Sequence, residues 1–245
     1  MLTLDQQNAL RDQYRRQRPN WQPATEQYAT LVRTHLPRAG RLLDLGCGRG
    51  GLVEQLAHPL PQIIGIDPDL ASLREHPLPQ MPRAVADSYH LPLPSGCATC
   101  ATASWVLEHM AQPARDLREI ARVLQPGGCF IFVTPNKRHP LIALNRLLGR
   151  ISGLQQQLVG ALYGRAAADT FPAFYRANTA DDLARLATQA GMRLVTLLTI
   201  ADPSYWGFMP ALFPLMCRLE ERLPPSIQLH LVGIMQRPTQ GTPTT

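Results

Sequence analysis

Long apolar runs are missing from this sequence of 245 residues, and none approaches the roughly 20 apolar residues that a membrane-spanning helix needs. The first residues are polar from position 5 onward, which is not the pattern of a secretory leader. The five cysteines are an odd number without a secretory context to oxidise them, so reduced thiols are expected. These absences predict a cytoplasmic protein.

The sequence also lacks the patterns of a metal site and of a nucleic-acid-binding surface. Cys97 and Cys100 form a CxxC pair, but no second pair of Cys or His follows at zinc-binding spacing, so no metal site is expected. The 24 basic and 18 acidic residues leave a formal charge of only +6, and no long basic block occurs. No nucleic-acid partner is therefore predicted.

The length and the 45% hydrophobic content suit one domain with a well-buried core. We predict a single domain over residues 1–236, with a helical cover at 1–38 and insertions at 137–177 and 203–226. Residues 237–245, RPTQGTPTT, are expected to be a disordered tail.

Apolar runs of strand length alternate with stretches of helical period. The strand candidates are RLLDL (41–45), QIIGI (62–66), RAVA (83–86), CATCATA (97–103), CFIFVT (129–134), MRLVTLLTI (192–200) and IQLHLVGIM (227–235). The helix candidates are ARDLREIARVL (114–124), stopped by Pro-Gly-Gly, and NTADDLARLATQAG (178–191), capped by Thr179. This alternation predicts a doubly wound α/β sheet with its ligand at the carboxyl ends of the strands.

A glycine-rich turn, LLDLGCGRGG (42–51), follows the first strand directly. Gly46, Gly48 and Gly51 satisfy GxGxxG, a weak signal that would also suit a dinucleotide and its pyrophosphate. Asp44 argues against that ligand, because a carboxylate at the strand end cannot hold pyrophosphate but can orient a cationic ammonium group.

Two further acids follow the next two strands. Asp67 ends the second strand at the spacing expected of a carboxylate that accepts both ribose hydroxyls. Asp87 and Ser88 end the third strand, where they could address an adenine amino group. Together the three strand ends indicate a nucleoside that carries a positive group.

At this point five motifs resemble those of class I S-adenosylmethionine-dependent methyltransferases of the small-molecule type that includes ubiquinone and menaquinone biosynthesis enzymes. They are LLDLGCGRGG, GIDPD, ADSYHLPLPSG, SWVLEHM and LREIARVLQPGGCFIFVTP, and they cover about residues 40–135. The resemblance implies S-adenosyl-L-methionine as cofactor and a Rossmann-like seven-stranded sheet of order 3-2-1-4-5-7-6, with the last strand antiparallel.

The cofactor-binding residues expected from the strand ends and the resemblance together are Tyr14, Asp44, Gly46, Cys47, Gly48, Asp67, Pro68, Asp87, Ser88 and Ser104. Residues 14–28 are expected to form a helical cover over the cofactor. Tyr14, Arg18, Trp21 or Tyr28 of that cover could touch the methionine carboxylate or close the pocket. The alternative is a helix that only packs on the fold, with its arginines in solvent.

Methyl transfer from a sulfonium is a direct displacement, so alignment rather than a protein nucleophile supplies most of the acceleration. A hydroxyl acceptor would benefit from a base, and His109 and His139 follow the fourth and fifth strands. The alternatives are that His109 fixes a helix start and that His139 is a solvated loop residue. The acceptor atom, O, N or C, is left open.

The two insertions are expected to roof the acceptor pocket with apolar side chains, which favours a hydrophobic small-molecule acceptor such as a quinone, isoprenoid, polyketide-like or lipid intermediate. The first insertion also carries five cations, which predicts peripheral contact with an anionic membrane. They are Lys137, Arg138, Arg146, Arg150 and Arg165.

Two other functions stay open, namely a noncatalytic adenosylmethionine-binding scaffold and an NAD-dependent oxidoreductase. A monomer or a homodimer is expected.

Overall fold

The computed structural model describes residues 3–149, 171–208 and 210–239. They form one seven-stranded sheet of order β3-β2-β1-β4-β5-β7-β6. The strands are β1 (Leu42–Leu45), β2 (Ile63–Asp67), β3 (Arg83–Val85), β4 (Ala98–Ser104), β5 (Leu124–Pro135), β6 (Arg193–Ile200) and β7 (His230–Gln236). Strands β1 to β5 pair in parallel, whereas β7 runs antiparallel to both β5 and β6. The predicted fold class and strand order are confirmed.

Helices cover both faces of the sheet. They are α1 (Leu4–Gln17), α2 (Ala24–His35), α3 (Leu70–Arg74), α4 (Pro113–Val123), α5 (Pro140–Gly149), α6 (Ala180–Gln189) and α7 (Phe213–Arg222). None of the helices within the described ranges has the length and apolar character to cross a bilayer.

Alternation along β1 assigns its side chains to the two core layers. Leu43 and Leu45 join the layer beneath α4 and α6, whereas Leu42 joins the layer beneath α2. Asp44 is two positions from Leu42 on the strand, so its side chain points to the same face of the sheet, the face covered by α2. The alternation along β1 thus places the carboxylate on the α2 side of the glycine turn.

Helix α6 forms as its sequence predicts. The Thr179 hydroxyl accepts from the Asp182 amide at 3.1 Å, which caps the helix start. Leu183, Leu186 and Ala187 are buried on one face, and Gly191 adopts a φ of +71° just after the last turn. Its buried stripe packs in the same core layer as α4.

Strand β5 is longer than predicted. The Pro126-Gly127-Gly128 stop lies inside the strand, which begins at Leu124 directly after α4. The register between β4 and β5 shifts between Ala98 and Cys100, and Gly127 has a φ of +81°. Pro-Gly-Gly therefore ends the helix, as expected, but it lies in an irregular, bulged stretch of the strand instead of a loop.

The N-terminal cover consists of two helices, because Pro19 and Pro23 interrupt the segment between α1 and α2. Helix α2 packs on the sheet, with Tyr28 and Val32 buried. Helix α1 packs on the 203–226 insertion instead, where Arg18 pairs with Glu221 at 2.8 Å.

The predicted tail begins too early. The Arg237 amide donates to the Gly128 carbonyl at 2.9 Å, and its guanidinium bonds the Leu124 carbonyl, so this residue is tied to the bulge of β5. Residues 240–245 of the predicted tail lie outside the described part of the chain.

Candidate active site

Two cavities open at the carboxyl ends of β1, β2 and β4, on either side of the glycine turn. The β2-side cavity, of about 520 Å³, is bordered by the ends of β2 and β3 and by residues 104–111 and 171–174. The α2-side cavity, of about 850 Å³, lies between α2 and residues 44–55. Both are lined by Gly46, Arg49, Ser104 and Trp105, so the two spaces meet at the end of β4.

The glycine turn itself needs glycine for two separate reasons. Gly46 has a φ of +68° and Gly48 a φ of +44°, in the left-handed region that other residues rarely adopt. A Cβ on Gly46 would also lie 2.4 Å from Cγ2 of Val106. The bare backbone therefore forms the wall between the cavities, where a ligand can approach closely.

Asp67 lies at the end of β2 and lines the β2-side cavity together with Pro68. Its Oδ2 accepts from the Gly48 amide at 2.9 Å, and its Oδ1 accepts from the Asp69 amide at 2.8 Å. Burial raises the pKa of this carboxyl, while the two amide donors lower it. Each oxygen keeps a lone pair that could accept from one hydroxyl of a ribose.

Asp44 lines the α2-side cavity. The Thr102 hydroxyl donates to its Oδ1 at 3.0 Å, and Tyr28 in turn hydrogen-bonds Thr102. Burial raises the pKa of Asp44 to about 7, helped by the nearby charges of Asp67 and Glu54 and opposed by the Thr102 hydrogen bond. No ion pair of Asp44 is seen among the described residues, and an ionised carboxylate in this setting could hold an ammonium group.

Cys47 and Ser104 flank this wall. Burial raises the pKa of the Cys47 thiol to about 12, so the thiol is neutral at physiological pH, and its sulfur fills the space above Gly65. Ser104 ends β4 and lines both cavities.

Asp87 and Ser88 follow β3 at the far end of the β2-side cavity. The Tyr89 hydroxyl bonds Asp87, and the Arg115 guanidinium lies 4.7 Å from the Tyr89 ring centre. Ser88 Oγ donates to Oδ1 of Asp116 at 2.6 Å. Asp116 also lines the cavity, and it was not predicted from the sequence.

His109 lines the mouth of the β2-side cavity. Its Nδ1 lies 3.0 Å from the Pro172 carbonyl oxygen, which can only accept, so Nδ1 carries the proton and Nε2 keeps a lone pair. The Phe171 ring meets the imidazole edge-on at 6.2 Å. Of the two histidines predicted as bases, His109 is the one that lines a cavity.

His139 does not line either cavity, which corrects the prediction of a catalytic role. It is 0% exposed, and its Nε2 lies 3.1 Å from the Glu220 carboxylate. The Leu141 amide donates to Nδ1 at 3.3 Å, so Nε2 carries the proton and donates to Glu220. Both ring nitrogens are therefore engaged in holding α5 to α7.

Tyr14, which was predicted to bind the cofactor, also lines neither cavity. The ring is buried against Phe213 and Cys217, with Trp21 edge-on at 4.9 Å, and the hydroxyl bonds Glu221. Trp21 donates to the Ala201 carbonyl at 2.8 Å and likewise faces away from both cavities. Among the four predicted cover residues, only Tyr28 lines a cavity.

The insertions contribute unequally to these two cavities. Residues 171, 172 and 174 of the first insertion line the β2-side cavity, where the Glu108 carbonyl accepts from the amides of Phe174 and Tyr175 at 2.7 and 3.1 Å. The described residues of the 203–226 insertion line neither cavity. Residues 150–170 of the predicted roof lie outside the described ranges.

Across residues 3–149, 171–208 and 210–239, no group of three His, Cys, Asp or Glu side chains could hold a metal ion.

The sequence is similar to those of known proteins. The sequence model of the methyltransferase-domain family matches residues 14–197. A probable S-adenosylmethionine-dependent methyltransferase of Mycolicibacterium smegmatis is 36% identical over 40% of this chain and 40% of its own length. The ubiquinone biosynthesis O-methyltransferase of Alkalilimnicola ehrlichii is 34% identical over 44% of this chain and 47% of its own, so this chain spans less than half of either relative.

A solved structure shows the same fold. Geranyl diphosphate C-methyltransferase from Streptomyces coelicolor, in complex with Mg²⁺, geranyl diphosphate and S-adenosyl-L-homocysteine, superposes with a TM-score of 0.56. The alignment covers 86% of this chain and 77% of that one at 15% sequence identity, a level at which the likeness concerns the fold alone.

Proposed function

Because this chain belongs to the methyltransferase-domain family of class I, S-adenosylmethionine-dependent enzymes, we propose that it transfers the methyl group of that cofactor to a hydrophobic small molecule. The observation that carries the proposal is the pair of cavities that meet at Gly46, Ser104 and Trp105. One offers hydrogen-bond acceptors for a nucleoside, and the other offers a carboxylate for an ammonium group.

In this proposal the adenosine lies in the β2-side cavity, where Asp67 accepts from the ribose hydroxyls. The amino-acid part passes over Gly46 into the α2-side cavity, where Asp44 accepts from the ammonium group. The bare backbone of Gly46 and Gly48 leaves room for the connecting atoms. When bound, the cofactor supplies an electrophilic methyl group on a sulfonium sulfur, which in this arrangement sits at the junction of the cavities.

The mouth of the β2-side cavity supports an apolar acceptor. Val106, Met110 and Pro172 line it together with two aromatic rings, Phe171 and Phe174, which are 48% and 41% exposed. Covering exposed aromatic faces with an apolar ligand removes them from water, which makes binding of that ligand more favourable. Two of the similar proteins act in ubiquinone biosynthesis and on geranyl diphosphate, and the geranyl chain of the latter is apolar.

His109 is the proposed base for a hydroxyl acceptor. The Pro172 carbonyl fixes the proton on Nδ1, so Nε2 is free to accept the proton of the acceptor as its oxygen attacks the methyl group. No covalent bond to the protein forms in such a displacement, and the walls of the cavity supply the alignment.

Peripheral membrane contact is part of the proposal, but the fold changes which residues would carry it. Lys137 pairs with Asp182, and Arg138 pairs with Asp181 at 2.7 Å, so these two cations are already neutralised. Leu144 and Leu147 on α5 are 52% and 57% exposed and support contact through apolar side chains. Arg150 and Arg165 lie outside the described residues.

Vesicle sedimentation tests this contact. Wild type should sediment with anionic vesicles at low salt, and a variant with Leu144 and Leu147 changed to Glu should remain in solution. Neutral vesicles and high salt serve as controls for the charge component. If wild type binds no vesicle in any condition, the membrane part of the proposal is wrong.

The experiment that tests the methyl transfer is incubation with methyl-labelled adenosylmethionine and a fractionated small-molecule extract, followed by mass identification of the product. We expect label in an apolar, organic-extractable fraction with wild type and a much slower transfer with His109→Gln. Tight binding of adenosylhomocysteine without transfer to any fraction would instead favour the noncatalytic scaffold.

A further inference from the structure

An exposed apolar stripe runs along α7, the helix of the 203–226 insertion. Leu215 and Leu219 on this helix, and Leu212 directly before it, are between 45% and 50% exposed. Their spacing of three and four residues places them next to one another on one side of the helix. Neighbouring exposed leucines on one side of a helix, unlike single ones scattered over a surface, indicate an interaction surface.

The inward side of α7 is fixed to the body of the protein. Phe213 and Cys217 are buried in an apolar cluster with Tyr14. Glu220 is 1% exposed and lies 3.1 Å from Nε2 of His139, which precedes α5. These contacts set the rotation of the helix about its axis, so the leucines face outward because the opposite side of α7 is packed.

The charges of α7 are divided between its two sides. Glu220 is buried, and Glu221 pairs with Arg18 at 2.8 Å, so both acids of the helix are engaged by other elements. Arg218 and Arg222 are exposed, and neither forms an ion pair with any residue that the structure describes. Each arginine follows an exposed leucine by three residues and is its neighbour on the helix surface. The α7 face comprises Leu212, Leu215, Arg218, Leu219 and Arg222.

An anionic lipid surface matches the α7 face. Leucines can enter the boundary between headgroups and acyl chains while guanidinium groups meet lipid phosphates. A second copy of the chain matches less well, because an antiparallel two-fold contact would gather the guanidinium groups of both copies along one flank. The formal charge of +6 of the whole chain also favours an anionic partner.

We propose that the α7 face docks on an anionic lipid surface. This inference deepens the proposed function and rests on its membrane contact, which it extends from α5 to the second insertion. The hydrogen bond between His139 and Glu220 joins the two helices. The insertion also starts at the carboxyl end of β6, on the edge of the sheet where both cavities open. Docking would therefore bring this edge towards a bilayer in which an apolar acceptor dissolves.

The test is sedimentation of the full chain with vesicles of phosphatidylglycerol and phosphatidylcholine in equal parts. Changing both Arg218 and Arg222 to Glu should weaken binding about tenfold or more, as expected for two cations near an anionic surface. Changing both Leu215 and Leu219 to Ser leaves the charge unaltered and should also weaken binding about tenfold, because apolar area no longer enters the interface.

The matched control changes Arg38 and Arg41 to Glu. Both side chains are exposed and precede β1, at the opposite edge of the sheet, and the change in net charge is the same as in the α7 arginine variant. This control should bind vesicles almost as wild type does. A thermal unfolding transition close to that of wild type in each variant shows that the protein is folded.

Wild-type vesicle affinity in both α7 variants, or an equal loss of affinity in the control, would overturn the inference and leave the contact through α5 standing. If wild type binds no vesicle, the membrane contact is wrong and the inference falls with it, whereas methyl transfer is tested separately with the labelled cofactor. A wild-type dimer that the leucine variant abolishes, without vesicle binding, would identify a second copy as the occupant and would also overturn the inference.

Discussion

The two cavities differ in how they can recognise a ligand, although they share the wall at Gly46, Ser104 and Trp105. The β2-side cavity is bordered mainly by apolar side chains, with a few hydrogen-bond acceptors at its ends. The α2-side cavity is bordered by five charged residues, Glu26, Arg33, Asp44, Arg49 and Glu54. We infer that the first cavity recognises a ligand mainly by shape and hydrogen-bond pattern, and that the second recognises it mainly by charge.

Trp105 stands where the two regions meet. It has a φ of +58°, an uncommon value for a large side chain, and its amide donates to the Val133 carbonyl at 3.0 Å. Its ring packs edge-on against His230 at 5.0 Å. Strained backbone of this kind persists where surrounding contacts hold it and is frequent at functional sites.

Gly48→Val should have the largest effect, because it alters the wall common to both cavities. A β-branched residue is strained at a φ of +44°, and the amide bond to Asp67 would be displaced. Calorimetry should detect no binding of adenosylhomocysteine. Gly96→Val is the control, since Gly96 has a similar φ of +65° but lies in a turn outside both cavities. Gly96→Val should bind adenosylhomocysteine normally despite a similar loss of stability. Weak binding by both variants would contradict the proposal that the glycine turn contacts the cofactor.

His109→Gln should separate chemistry from binding within the β2-side cavity. General bases contribute about a hundredfold to ten-thousandfold, so kcat on a hydroxyl acceptor should fall in that range. The affinity for adenosylhomocysteine should stay unchanged, because His109 is at the mouth. A kcat equal to that of wild type on the identified acceptor would exclude His109 as the base.

Asp67→Ala should weaken only the binding of the ligand part that lies in the β2-side cavity. Loss of hydrogen bonds to the ribose should reduce affinity about tenfold to hundredfold. The reduction should be the same for adenosylhomocysteine and for 5′-methylthioadenosine, since both carry the ribose. Asp69→Ala is the control, because Asp69 caps α3 through Ala71 and Ser72 without lining a cavity. It should cost about 1 kcal/mol of stability and leave both affinities intact.

The smallest effect should be a pH dependence that acts through the ammonium group in the α2-side cavity. Asp44, with a pKa of about 7, must ionise to hold an ammonium group. The affinity for adenosylhomocysteine should therefore rise about tenfold as the pH rises through this value, if the ligand lowers the pKa by one unit. Methylthioadenosine, which has no ammonium group, should show little change, and Asp44→Asn should flatten the profile for both. A parallel rise for the two ligands would place the titrating group elsewhere.

Asp44 should also affect the stability of the ligand-free protein in the same pH window. The pKa of this carboxyl is raised in the fold, so between about pH 4 and pH 7 the folded state binds more protons than the unfolded state. Its contribution to the free energy of unfolding should fall as the pH rises through that window. Asp44→Asn should remove this decline in denaturant titrations.

The sequence predicts where the candidate cofactor residues lie in the fold, because these residues are adjacent to strand ends. Asp44 and Asp67 follow directly from the topology, since the carboxyl ends of parallel strands meet at one edge of the sheet. The strand order itself came from the family resemblance, and the structure confirms it. Whether these residues contact the cofactor stays a prediction.

The remaining site residues depend on contacts that no local pattern contains. His139 follows β5 as predicted, but Glu220, 81 positions away, engages its ring in the interior. Tyr14 faces α7 rather than the cofactor because Phe213 and Cys217 form a separate apolar cluster there. Asp116 was overlooked because it interrupts the apolar stripe of α4, although an acid on a buried helix face is itself a signal of a polar site.

The most direct test of the central claim, that both cavities hold one cofactor, is calorimetric titration with adenosylhomocysteine, methylthioadenosine and NAD at pH 8. At this pH Asp44 is mostly ionised. We predict one adenosylhomocysteine per chain, weaker binding of methylthioadenosine, and no measurable binding of NAD, whose pyrophosphate the strand-end acids repel. Binding of NAD more tightly than adenosylhomocysteine, or equal affinity for adenosylhomocysteine and methylthioadenosine, would contradict the account.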